Sequence, residues 1–151
     1  MRSIRLAALC AAAVALGSVG VGHAAQNRHV SILMRGQITS ATTVDGTFEL
    51  RGWLTDQGTY HEDFRIVGAR ISATKTFVGA MGTFVLRIHC RVTTISDTQV
   101  GFAGGRWWLE SGTGAYAGLR GGGDPAVAPG SISDLATGQV RIRHSGSLRP
   151  L

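Results

Sequence analysis

An all-β fold of seven or eight short antiparallel strands, closed as a barrel or packed as a sandwich, is predicted by three observations. Apolar and polar residues alternate through nearly every ordered stretch, and no window of about twelve residues carries an apolar stripe at helical spacing. Glycines at 46, 58, 68, 79, 82 and 112 bound or interrupt the alternating runs, in turns and bends where a Cβ is costly. The runs are short and numerous, which is the rhythm of barrels and sandwiches. A sandwich of immunoglobulin type is disfavoured, because no pair of cysteines brackets a tryptophan.

The chain opens with Met1-Arg2-Ser3-Ile4-Arg5 and the apolar stretch Leu6 to Gly22, and Gly22-His23-Ala24 puts small residues at −3 and −1. This pattern is a secretory signal cleaved after Ala24, and it implies an exported, extracytoplasmic protein. The stretch is marginal for crossing a hydrocarbon core of ~30 Å and no basic cluster follows it, so no membrane span is expected after signal removal. Cys10 is not read as a lipidation site, since Leu9 stands where a small residue is required. Residues 25–151 suffice for one domain with a core and are too few for two ordinary ones, which excludes large two-domain enzymes.

Only Cys90 remains in that region, so packing rather than an intrachain disulfide holds the fold. Its place in the alternating set Phe84, Leu86, Ile88, Cys90, Val92 makes it a buried small hydrophobe. The formal charge of +6 falls when Arg2 and Arg5 leave with the leader. The remaining basic residues form no adjacent run, whereas nucleic-acid surfaces concentrate them; nucleic acid is not an expected partner.

Strands are predicted near 29–39, 46–55, 59–67, 69–77, 82–94, 98–109 and 138–148, with a further short one near 115–120. Parity sorts their faces. Phe48, Leu50 and Leu54 point one way; Thr47, Glu49, Arg51 and Trp53 point the other. Tyr60, Glu62, Phe64 and Ile66 share a face opposite His61, Asp63, Arg65 and Val67. The set from Phe84 to Val92 opposes Thr83, Val85, Arg87, His89 and Arg91. Glu49, Arg51, Asp63, Arg65, Arg87 and Arg91 are expected to form cross-strand ion pairs worth ~0–1 kcal/mol each. Trp107 and Trp108 are adjacent and must face opposite ways, one into the core. Trp53, on a polar face, is covered by a homo-oligomer interface, by a loop or by a terminus. The Gly- and Pro-rich segment 121–131 reads as an irregular excursion that either gates a cavity or merely connects strands.

The sequence Trp107-Trp108-Leu109-Glu110-Ser111-Gly112-Thr113-Gly114-Ala115-Tyr116-Ala117-Gly118-Leu119-Arg120-Gly121-Gly122-Gly123 carries a resemblance. It is similar to the motif of small secreted bacterial proteins of the allene oxide cyclase-like and dirigent-like barrel superfamily, where a tryptophan strand runs into a GTG-aromatic-AG-x-RG turn. Asp45-Gly46-Thr47-Phe48 and Gly82-Thr83-Phe84 resemble that group's two GTF strand openings. The resemblance implies a single antiparallel eight-stranded barrel, often oligomeric, with an elongated internal cavity. Relatives of that kind cyclise fatty-acid-derived epoxides or steer phenoxy-radical coupling and pyran-ring formation. Neither the plant-cyclase catalytic set nor the dirigent acid and arginine constellation matches residue by residue, so the resemblance transfers no catalytic residue.

An eight-stranded barrel is either filled by side chains or holds one small ligand, and its inward polar groups decide its chemistry. Tyr60, Glu62 and His144 are the candidate catalytic residues. His144 continues the alternating face of Val140 and Ile142, with Arg141 and Arg143 opposite. Glu62 in an apolar cavity serves as proton donor or general base, while Tyr60 and His144 orient or polarise a substrate oxygen. The competing structural reading puts Tyr60 and His144 near a rim and pairs Glu62 with an arginine. No Walker loop, hydrolase elbow or two-histidine metal spacing is present, and no cofactor is expected. Three functions follow: a barrel that binds or sterically steers a small apolar or aromatic molecule, a plugged structural or protein-interaction module, and a cyclase or isomerase working through Tyr60, Glu62 and His144.

Overall fold

The computed structural model describes residues 26–151, so the predicted leader over 1–24 and Cys10 lie outside the described residues. Nine strands follow one another: β1 (Arg28–Ile38), β2 (Thr43–Gly52), β3 (Asp56–Val67), β4 (Arg70–Gly79), β5 (Gly82–Thr94), β6 (Gln99–Gly112), β7 (Leu119–Gly123), β8 (Ile132–Asp134) and β9 (Gln139–Pro150). All neighbours pair antiparallel in chain order from β1 to β6. β7 and β8 share the next place, each lying between β6 and β9, and β9 pairs with β1 to close the sheet. The result is a closed eight-stave barrel in which one stave is made of two short strands.

The predicted face sorting holds where it matters for the interior. Phe48, Leu50, Tyr60, Glu62, Phe84, Leu86, Ile88 and Cys90 are buried on the lumen side, joined by Val30, Ile32 and Met34 from β1 and Val140, Ile142 and His144 from β9. Burial pushes the Cys90 thiol up to about 11, which leaves it an unreactive apolar filler. Trp107 is buried and Trp108 only half so, as adjacency required. Trp53 packs at the N-terminal strand: its amide donates to the His29 carbonyl at 2.9 Å, and the Arg28 guanidinium lies 4.8 Å from its ring centroid.

The lower end of the barrel, where β1 starts and β9 ends, is plugged. The Phe77 and Phe84 rings stack at 4.4 Å, Phe48 meets both edge-on, and Tyr116 tilts against Phe84 at 4.5 Å. Such contacts add about 0.5–1.5 kcal/mol each beyond burial. Tyr116 comes from a short 3-10 turn, Gly114–Tyr116, that occupies the start of the predicted 115–120 strand. Its hydroxyl donates to Asp56 Oδ2 at 2.7 Å. The same carboxylate accepts the backbone N–H groups of Gln57, Ala80 and Met81 at 2.8–3.2 Å, so one buried acid ties β3 to the β4–β5 turn and to the plug.

The Gly-rich segment resolves into two parts. Gly121–Gly123 belong to β7, and the irregular excursion is confined to 124–131, opening on a cis peptide between Asp124 and Pro125. In β7 Gly121 takes a positive φ of 146°, while Gly122 and Gly123 supply room. A Cβ on Gly123 would stand 2.5 Å from the Trp107 indole nitrogen, and one on Gly146 of β9 would stand 2.6 Å from its ring. The excursion turns inward as well, burying Ala126 and Val127 and bonding back to the Gly105 and Arg143 carbonyls. The short strand β8 was not foreseen, because three residues are too few to show alternation.

Of the expected cross-strand ion pairs, Arg87 forms one, while Glu49 and Asp63 find partners on their own strands. Glu49 bonds Arg51 on its own strand, Asp63 approaches His61, and the partner of Arg87 is Glu110 on β6.

Candidate functional site

The upper end of the barrel is open. A cavity of about 140 Å³ lies inside the mouth, walled by Ile38, Val44, Phe64, Ile71, Val92, Val100, Phe102, Ser133, Val140 and Ile142 from all eight staves, with Ile66 and Leu135 at its lip. Ile66 and Leu135 are 50% and 55% exposed, and Ile95 in the adjoining β5–β6 turn is 53% exposed. Ile66 and Leu135 therefore add water-facing aliphatic surface to the lip of the cavity. The only ionisable group on the cavity wall is Glu62, itself buried.

Glu62 does not pair with an arginine. Directly across the β3–β4 ladder stands Lys75, 1% exposed, with Nζ 3.1 Å from Glu62 Oε2. The contact is ionic but poorly directed, for Oε2 accepts no hydrogen bond of proper geometry. The Lys75 side chain crosses the lumen: its ammonium lies 3.8 Å from Met34 Sδ on β1 and 5.9 Å from the centroid of the Tyr60 ring. Lys75 shares the parity of Ile71, Ala73 and Phe77 on β4, so it is a charge on a core face.

Tyr60 and His144 are both buried, neither at a rim, and both sit one alternation deeper than the cavity wall, below Glu62 on β3 and below Ile142 on β9. The Tyr60 ring lies over Gly46 and its hydroxyl over Gly36; a Cβ at Gly36 would stand 2.3 Å from that hydroxyl, so these two glycines make the space it occupies. Burial drives the Tyr60 phenol well above its ordinary range, with Glu62 and Asp45 adding to the effect, so it remains a neutral donor. Its hydroxyl has no partner among the described residues.

His144 Nδ1 is hydrogen bonded to the Ala126 carbonyl, which fixes the proton on that nitrogen and leaves Nε2 a bare, buried acceptor. Burial first, and the Lys75 charge second, hold this imidazole far below its ordinary value against the opposing pull of the Ala126 carbonyl. A histidine held neutral in the fold and free to protonate when unfolded stabilises above its unfolded value and loses that contribution as pH falls. Stability is therefore expected to drop by about 1.4 kcal/mol per pH unit below pH ~6.5 for as long as His144 stays neutral in the fold. Denaturant titrations from pH 7 to 5 check this. The slope is expected to vanish in His144→Gln, and a slope unchanged by that substitution excludes His144 as its source.

The structure thus brings Glu62 to the cavity and stacks Tyr60 and His144 beneath it, with Lys75 among them. Lys75 is the residue that face sorting missed. Two signals were available: strict period two from Ile71 to Phe77, and the fact that it is the single lysine of a chain with fourteen arginines.

Among the described residues no helix is long and apolar enough to cross a membrane, and no cluster of three or more His, Cys, Asp or Glu is placed to hold a metal ion. No family model, no curated protein and no solved structure matches this chain.

Proposed function

We propose that this protein is an exported barrel that binds a small apolar or aromatic molecule in its upper mouth, within the allene oxide cyclase-like and dirigent-like superfamily that its Trp107–Gly123 motif resembles. The observation that carries the reading is the apolar cavity of about 140 Å³, open at one end and floored by a buried carboxylate. Apolar cavities of about 150 Å³ accept benzene. The plugged lower lumen limits the guest to a single ring or a short aliphatic segment. A pocket of this size supports a dissociation constant on the order of 0.1–1 mM for benzene, or about −4 to −5.5 kcal/mol.

Titration with benzene followed by methyl NMR tests it. Saturable shifts are expected at the Ile71, Val92, Val100 and Ile142 methyls, and Val100→Trp, which places an indole in the half-buried mouth, is expected to abolish them. Unshifted methyls up to the solubility of benzene defeat the reading.

A second reading, acid–base chemistry on the guest by Tyr60, Glu62 and His144, is favoured by one observation: each of the three holds a buried polar atom without a hydrogen-bond partner. Native interiors rarely leave such atoms unmet, and reacting groups are among the exceptions. In this reading Glu62 moves the proton, the Tyr60 hydroxyl donates to a substrate oxygen, and His144 Nε2 accepts from a hydroxyl.

A further inference from the structure

We infer that Lys75 is a carbonyl-capturing amine, forming a reversible imine with a small apolar aldehyde or ketone admitted through the mouth. The inference rests on the mouth being a binding site and adds a covalent step and a substrate class to it.

Three independent observations converge on this nitrogen. The first is compositional. The chain uses arginine for fourteen of its fifteen strongly basic side chains, and its one lysine stands inside the barrel. Guanidinium groups stay protonated and do not act as nucleophiles, whereas a lysine amine is a nucleophile once it has lost a proton. The barrel therefore keeps its only nucleophilic side-chain amine away from bulk water.

The second is the position of Glu62, which lies on the cavity wall and 3.1 Å from Nζ. It stands where a base is needed, touching the amine on one side and the space for a guest on the other. The remaining neighbours of Nζ are a thioether sulfur at 3.8 Å and an aromatic face at 5.9 Å. These are weak partners for a cation. An ion pair kept only for architecture is ordinarily wrapped in directed hydrogen bonds.

The third is the set of unmet polar atoms. Tyr60 Oη and His144 Nε2 are buried without a hydrogen-bond partner among the described residues, and Glu62 Oε2 has only its ionic contact with Lys75. The intermediate of imine formation, a carbinolamine, carries a hydroxyl that both accepts and donates. It suits a neutral phenol donor and a bare imidazole acceptor.

The step balances without any further reactant. Glu62 removes a proton from the Lys75 ammonium, and the freed electron pair of Nζ forms a bond to the carbonyl carbon. The carbonyl π pair moves to oxygen, which takes the proton that the newly bonded, positively charged nitrogen loses, giving the neutral carbinolamine. The Glu62 carboxylic acid then protonates the hydroxyl, the C–O bond breaks and water leaves, while the nitrogen pair forms C=N. The product is a protonated imine plus water, with the same positive charge beside the same Glu62 carboxylate as at the start.

The sole lysine makes the test unambiguous. The full-length protein is incubated with benzaldehyde and sodium cyanoborohydride, digested, and mapped by mass spectrometry, with the chain's α-amine as internal reference. Expected is benzylation of Lys75 that saturates with aldehyde concentration, is competed by benzene, and falls at least tenfold in Val100→Trp and in Glu62→Gln. Lys75 left unmodified while the α-amine is benzylated overturns the inference, as does labelling of Lys75 only at denaturant concentrations that unfold the chain. The mouth reading is scored separately by the benzene titration. Benzene binding without labelling removes the imine and leaves the mouth; labelling that neither benzene nor Val100→Trp affects shows that carbonyls reach Lys75 by another route, which overturns capture through the mouth.

Discussion

Lys75→Met is expected to destabilise the barrel by about 3–5 kcal/mol, and Glu62→Leu by a similar amount, because each leaves the other charge buried without its partner. The pair Lys75→Met with Glu62→Leu removes both charges and is expected to lie within about 1 kcal/mol of the parent or above it. Met34 and Tyr60 lie beside the Lys75 ammonium and the aliphatic mouth residues beside Glu62, so a methionine at 75 and a leucine at 62 find packing partners. Urea titrations of the four proteins at constant m-value supply the cycle. Additive losses in the double variant would show that the two charges do not depend on each other, contradicting the 3.1 Å contact. A double variant that is stable yet binds no carbonyl compound would separate the chemistry of the pair from its cost to the fold.

Asp56→Ala is expected to cost about 3–5 kcal/mol. Four donors converge on that carboxylate, one phenol and three backbone N–H groups, and hydrogen bonds to an ionised acceptor are each worth about 1.5–3 kcal/mol in isolation and less in sum. Asp56→Asn keeps one acceptor oxygen but presents an NH₂ to donors, so it is expected to recover less than half of the loss. Burial raises the Asp56 carboxyl, but the bonds from Tyr116, Gln57, Met81 and Ala80 outweigh it and hold the group below the usual carboxylate range. A depressed carboxyl stabilises above its unfolded value of ~3.9 and loses that contribution as pH falls through its folded value. The acid limb of the stability curve below pH ~4 is therefore expected to be shallower in Asp56→Ala than in the parent. Near-ultraviolet circular dichroism of Tyr116 and its neighbours reports whether the lower plug has loosened.

Period-two parity placed Tyr60, Glu62, Cys90 and His144 on inward faces, and the structure buries all four. Parity succeeds in a closed barrel because every strand has one wet and one dry face, and a single-residue slip would turn all of them over. It says nothing about depth along a strand. That is why Tyr60 and His144 could be read near a rim: their depth depends on stagger between staves, set by pairings such as Tyr60 with Gly46 and His144 with Ile32. Lys75 escaped notice because a lysine between threonines looks like a solvated position until the flanking Ala73 and Phe77 are counted. The plug was invisible for a different reason, since Asp56 and Tyr116 lie 60 positions apart and no local pattern links them. Gly121, Gly122 and Gly123 read as loop because glycine signals both freedom and close approach, and only the partners that tertiary structure brings, the indole of Trp107 against Gly123 among them, tell which applies.

The ladder between β1 and β9 joins the first described strand to the last, over a sequence separation of roughly 100 residues or more. The ladders from β1 through β6 can each zip from the turn that joins their strands, but this one waits for β9. Until β9 arrives, β1 presents a long row of free amides and carbonyls, flanked by Val30, Ile32 and Met34, to any other extended chain in reach. Closure is thus the late, non-local event that high contact order makes slow. Shortening the chain by its final strand leaves an open sheet with two adhesive edges in place of a smaller barrel.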